Sequence, residues 1–141
     1  MKVGIDLGTT YSAVSRYDTK TSKPVIIPNT FGKDITPSVI CFLDDGDILI
    51  GEDAKDMQSG GTGVNAAAFK RNMGDGTTVV SFNGKDYTSE ELSAMLLKHL
   101  IEGAEKTTGE KITEAVITVP AYFNDFQRTA TIRAGEACGI K

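Results

Sequence analysis

Apolar and polar positions alternate from the first residues of the chain: Val3, Ile5 and Leu7 are separated by Gly4 and Asp6, and Tyr11 to Asp18 continues a mixed alternation rich in β-branched and aromatic side chains. A period of two predicts two strands, with Gly8-Thr9-Thr10 at the tip of a tight β-hairpin. Lys23 to Pro28 predicts a third short strand, bounded by prolines and followed by the polar loop 29–34, so the chain opens antiparallel. Thr36 to Leu43 and Asp47 to Gly51 predict another hairpin around Asp44-Asp45-Gly46.

The pattern then changes. Glu52 to Ser59 is weakly helical and is broken by Gly60-Gly61-Thr62-Gly63, while Val64 to Met73, with Ala66, Ala67, Ala68 and Phe69, predicts a helix ending in Lys70-Arg71 before Gly74. Thr78 to Phe82, Asn83-Gly84 and Lys85 to Tyr87 carry a type I′ hairpin signal. Thr88 and Glu91 form a capping box ahead of Leu92, Met95, Leu96, Leu100 and Ala104, which predicts a long helix from Thr88 to about Thr108 with Gly109 as its C-cap. Ala115 to Val119, ended by Pro120, is a continuous apolar run that predicts a strand buried on both faces. Asn124 with Gln127 opens a last helix to about Cys138. Ile140-Lys141 falls where an α/β fold would begin its next strand, so the expected architecture is incomplete at this point.

Composition narrows the class without changing that picture. The 141 residues suit one domain with a real core, and 40% hydrophobic with 24% charged residues is ordinary for a globular chain. A net charge of −4 with no basic stripe argues against nucleic acid as a partner. Neither a signal-peptide pattern nor a run of about 18 apolar residues occurs, so membrane association is not expected and a cytoplasmic location is. Cys41 and Cys138 lack metal-ligand spacing and read as small buried hydrophobes, and His99 reads as a residue of the long helix surface.

The candidate chemistry lies at the first hairpin. Backbone N–H groups around a small glycine turn can converge on an anion, and the hydroxyls of Thr9 and Thr10 add donors. Asp6 would repel phosphate unless a hard cation such as Mg²⁺, held through its waters, stood between them. These residues alone leave a plain hairpin and a phosphate loop equally open. No Gly-x-x-x-x-Gly-Lys-Ser/Thr and no Gly-x-Gly-x-x-Gly is present, which sets aside P-loop and Rossmann readings.

Gly-Ile-Asp-Leu-Gly-Thr-Thr at 4–10 resembles the first phosphate loop of the actin-like ATPase superfamily, which includes heat-shock chaperones, sugar kinases and filament proteins. Val119-Pro120-Ala121-Tyr122-Phe123-Asn124-Asp125 with Gln127-Arg128, preceded by Thr113 to Thr118, is similar to the DnaK-type heat-shock proteins, the heat shock protein 70 class. Thr36-Pro37-Ser38, Lys70-Arg71 and Ala134-Gly135 extend the likeness along the whole chain. A small-metabolite (sugar) kinase and a non-catalytic actin-like scaffold stand as alternatives, separable by the residues C-terminal to Lys141.

The resemblance implies an α/β, ribonuclease H-like lobe of the actin-like ATPase fold, a mixed sheet with flanking helices. Its core subdomain would be 1–36 and 112–141, with a smaller α+β subdomain, 37–111, inserted. It implies ATP or ADP with Mg²⁺, and admits K⁺. Gly8, Thr9, Thr10 and Tyr11 would meet the phosphates, Asp6 the hydrated Mg²⁺, and Lys70 with Thr10 would serve hydrolysis. Pro120 and Arg128 would relay nucleotide state to a substrate domain; from residue type alone they read as a strand terminator and an exposed helix arginine, and Lys70 as a solvated lysine. Unfolded polypeptides, a J-domain co-chaperone and a nucleotide-exchange factor are the implied partners. The 141 residues alone are expected to lack ATPase activity and to self-associate. Departures from the family pattern are the Gly60 to Gly63 tetrad, Asn65 in place of an asparagine nearer the lysine, Phe126 for a small residue and Ile132 for a basic one.

Overall fold

A computed structural model describes residues 2–8, 11–43, 48–60, 64–67, 78–82, 85–118 and 125–137. Residues 44–47 and 83–84, where the sequence predicts turns, the tetrad residues 61–63 and Cys138 lie outside them. The first three strands form where the sequence predicts them: β1 (Lys2–Leu7), β2 (Tyr11–Asp18) and β3 (Lys23–Ile27). β1 pairs antiparallel with β2, and β2 with β3. β4 (Thr36–Pro37) adds to the same edge of β2 beyond the end of β3. On the other side β10 (Glu114–Thr118) pairs parallel with β1, giving a mixed sheet in the order β10-β1-β2-β3.

Pro37 has no N–H to carry a ladder further, and after it the chain leaves this sheet. The expected single strand from Thr36 to Leu43 is therefore two, with Ser38 between β4 and β5 (Val39–Phe42). β5 pairs antiparallel with β6 (Ile48–Ile50) on one side and with β7 (Val64–Ala67) on the other. β7 corrects the helix expected from Val64 onward. Alanine's helix propensity is worth only tenths of a kcal/mol per residue, and here it yields to residue-by-residue pairing from Val39↔Ala67 to Phe42↔Val64. Asn65, expected in that helix, lies in this strand opposite Cys41. Between β6 and β7 runs α1 (Glu52–Gly60), and β8 (Thr78–Phe82) with β9 (Lys85–Thr88) forms the hairpin read from the sequence.

The long helix α2 (Ser89–Thr108) carries both of its predicted caps: Thr88 and Glu91 close a full capping box, and Gly109 stands at φ 73°, a left-handed conformation that glycine adopts at low cost. Its buried stripe of Leu92, Leu96, Leu97, Leu100, Ile101 and Ala104 joins Val3, Ile5, Leu7, Val14 and Ile27 of the first sheet and Ile40 and Phe42 of the second in one core. α3 (Asp125–Ala137) contributes Ala134 to the same core.

The pleat explains a further difference. Val3, Ile5 and Leu7 face the helices, while Lys2 and Asp6 are exposed on the opposite face. β10 follows β1: Ala115 and Ile117 pack against the core, whereas Val116 is 73% exposed. The strand expected to be buried on both faces is thus open on one, because among the described residues both α2 and α3 join the core on the same side and β10 has β1 as its one strand neighbour. Cys41 is fully buried, and burial pushes its thiol pKa up, as suits a small core hydrophobe.

Candidate functional site

At one end of the first sheet the carboxyl ends of the parallel strands β1 and β10 meet the start of β2, the region where open α/β sheets bind ligands. The period-two pleat that buries Ile5 and Leu7 puts Asp6 on the open face, opposite Thr118 on β10 and Ala13 on β2. The Thr118 hydroxyl donates to Asp6 Oδ1 at 3.0 Å and so orients an exposed carboxylate. Among the described residues no three His, Cys, Asp or Glu side chains gather as metal ligands. A lone oriented carboxylate fits Mg²⁺, which keeps most of its waters and takes one or two carboxylates.

Gly8 follows β1 directly. A Cβ built on it would stand 2.1 Å from the Tyr11 carbonyl oxygen, far inside contact distance, so this hairpin closes only on glycine. Its carbonyl is held from below: the Ser38 hydroxyl donates to it at 2.8 Å, and the buried Ser12 and Ser38 hydroxyls are hydrogen-bonded at 2.9 Å. Tyr11, 38% exposed, begins β2 opposite Pro37. The Lys55 ammonium of α1 lies 4.6 Å over its ring and donates to its hydroxyl. That hydrogen bond raises the Lys55 pKa; desolvation opposes it, and the neighbouring Glu52 and Asp56 carboxylates add to the rise. Lys55 is thus a cation beside the hairpin, with the Glu52 and Asp56 carboxylates near it on α1.

Of the residues read from the sequence, the structure brings Asp6, Gly8 and Tyr11 together and places Arg128, exposed, on α3. Thr9, Thr10, Lys70 and Pro120 lie outside the described residues. Sequence reasoning did not single out Lys55, Ser12 or Thr118 as neighbours of the hairpin. Nothing local marks them, since their proximity is created by strand register and by the packing of α1; the one available signal was Ser38, inside the Thr-Pro-Ser segment. A separate cavity of about 100 Å³ is lined by Asn29, Thr36, Glu52, His99 and Glu102, with none of the hairpin residues Asp6, Gly8 or Tyr11 in its wall. His99 is half-buried there, not on the helix surface, because α2 packs this turn against the loop and Gly51. Burial lowers its pKa, the carboxylates of Glu102 and Asp53 oppose the shift, and Lys106 adds to it.

An open-edged mixed sheet with helices on one side, ending in a glycine hairpin beside an oriented carboxylate and a cation, defines an α/β protein with an anion-suited hairpin at its strand ends. The family model described as Hsp70 protein matches residues 2–77 and 75–141. The chaperone protein DnaK of Mycoplasmopsis pulmonis (strain UAB CTIP) is 51% identical over 138 residues, 98% of this chain. The DnaK proteins of Mycoplasma mobile and Mycoplasmopsis agalactiae are 50% and 48% identical over 139 residues, 98% and 99% of this chain. The chain belongs to the Hsp70 protein family. It spans 22% of the length of each of these curated relatives.

Proposed function

We propose that this chain forms the first lobe of an ATP-hydrolysing chaperone domain and that the hairpin between Asp6 and Tyr11 takes the phosphates of ATP or ADP. The observation that carries the reading is the closure at Gly8, which leaves no room for a Cβ beside the exposed, Thr118-oriented Asp6. Relatives named chaperone protein DnaK support the chaperone assignment. Asp6 would hold hydrated Mg²⁺, whose charge offsets that of the phosphates. Gly8, Thr9, Thr10 and Tyr11 would contact the phosphates, with K⁺ accommodated nearby. Lys70, assisted by Thr10, would orient the attacking water and balance charge as it develops, since phosphoryl transfer asks a protein mainly for position and positive charge.

In the same reading the fold is the actin-like, ribonuclease H-like lobe, with 1–36 and 112–141 as core and 37–111 as the inserted part that returns to the core through α2. Pro120 and Arg128 relay nucleotide state toward a peptide-binding part outside these residues, and the protein works in the cytoplasm on unfolded polypeptides with a J-domain co-chaperone and a nucleotide-exchange factor.

The test is a pair of variants, Asp6→Asn and Thr10→Ala, in the protein carried to the full length of its relatives. Asp6 is exposed on β1, and Asn keeps an oxygen for the Thr118 hydroxyl, so Asp6→Asn should cost about 0.5 kcal/mol or less; both variants should melt close to the parent without ligand. Both should lose most of the rise in melting temperature that Mg-ATP gives the parent. Early melting with the full nucleotide-induced rise retained would refute the phosphate-loop reading.

A further inference from the structure

Ser38 sits where the chain passes from the first sheet to the second, between β4 and β5. It is nearly fully buried, as is Ser12, and its hydroxyl bridges two elements by donating to the Gly8 carbonyl while bonded to the Ser12 hydroxyl. The described register of β1 and β2 ends at Leu7↔Ser12, and beyond it the Gly8 carbonyl takes its hydrogen bond from Ser38. Its direction is set by the side chain that bonds it. A carbonyl is an acceptor only and repels an anion. Drawing the Gly8 carbonyl toward the buried Ser38 therefore keeps that acceptor turned away from the open side of the hairpin. An anion is bound where donors converge and acceptors point elsewhere.

We propose that Ser38 is a positioning residue for polyphosphate recognition: its buried hydroxyl, braced by Ser12, holds the Gly8 carbonyl inward so that this acceptor does not face the ligand. Ser38 itself touches no phosphate. The inference rests on the phosphate-loop reading and goes beyond it by naming what pre-organises that loop. Without the hydroxyl the Gly8 carbonyl can rotate toward water, and the ligand must then order the peptide group at a cost in affinity.

Titration calorimetry on the protein at the full length of its relatives tests this, with Mg-ATP and phosphate-free adenosine as separate probes. Loss of one hydrogen bond that orders a binding group predicts a weakening of about tenfold for Mg-ATP in Ser38→Ala, with adenosine affinity unchanged. Ser38→Thr, which keeps the hydroxyl, should stay within about threefold of the parent, a margin that allows for its extra methyl group. Ser12→Ala leaves the bond to Gly8 in place and should cost less than Ser38→Ala; it also carries the test if Ser38→Ala does not fold, an unchanged Mg-ATP affinity then counting against the bracing. Parent-like Mg-ATP binding by Ser38→Ala, or an equal loss in Ser38→Ala and Ser38→Thr, overturns the positioning role while leaving the phosphate loop intact. Absence of Mg-ATP binding in the parent overturns both.

Discussion

Lys70 illustrates how much a single charge can be asked to do. A lysine that meets the reacting phosphoryl group mainly as charge develops affects the rate and not the ground-state complex, so Lys70→Ala should leave ATP affinity largely intact while slowing hydrolysis on the order of a hundredfold or more. Single-turnover hydrolysis of bound ATP in the full-length protein measures this, and an unchanged rate returns Lys70 to the solvated surface. His99 makes a different prediction, for stability. Burial depresses its folded-state pKa, so below the unfolded value of about 6.5 the unfolded chain takes up a proton that the folded one refuses. The stability that neutral His99 supports is complete above that pH and is lost as pH falls toward the folded pKa, at up to about 1.4 kcal/mol per pH unit. Urea midpoints from pH 7.5 to 5 should fall more steeply for the parent than for His99→Gln; parallel profiles would show that His99 is not the titrating group. Its place on a helix was plain in the sequence, but its neighbours Gly51, Asp53 and the wall of the cavity were not, because they arrive from α1 and the loop before β4.

At the scale of elements, those whose signals are local formed where local chemistry put them. The Thr88–Glu91 capping box needs only residues three apart, and both of its hydrogen bonds are present at 3.3 Å. Thr88→Ala should therefore cost about 1 kcal/mol, the usual worth of an N-cap. Chemical denaturation of the 141-residue chain would show it, and a loss below a few tenths would mean that α2 is held by packing alone. β7 is the counter-example. Ala66 and Ala67 are strong helix formers, yet they pair with β5, since a sheet edge rewards every backbone group it pairs and propensity is a weak prior. The break at Ser38 belongs here as well: Pro37 is visible in the sequence, but the destination of the strand after it, a second sheet pairing with β6 and β7, depends on partners distant in sequence.

At the scale of the molecule, the open face and edge of the first sheet shape behaviour. Val116 is largely exposed on a strand with one neighbour among the described residues, and Tyr17 is exposed on the same sheet. Such an edge is a template for pairing with another chain. The 141-residue chain by itself should fold, self-associate at micromolar concentration and show no meaningful ATP turnover, because donors on one wall facing water are worth little compared with a closed, water-poor cleft. Sedimentation velocity with the Val116→Lys variant and a phosphate-release assay check the two halves. A monomer at high concentration would remove the exposed edge as a cause, and robust turnover would place a whole site within these residues. Local pattern was enough for the strands β1 to β3, the capped helix α2, the hairpin β8–β9 and Gly8 directly after β1, since each rests on periodicity, on turn residues or on contacts within a few residues. Tertiary structure alone decided that β10 lies parallel beside β1, that Thr118 from more than a hundred residues away orients Asp6, that Ser38 and Ser12 hold Gly8 and that Lys55 reaches Tyr11. Those are long-range contacts, fixed by register and by how the helices and sheets share one core, and no local pattern of residues encodes them.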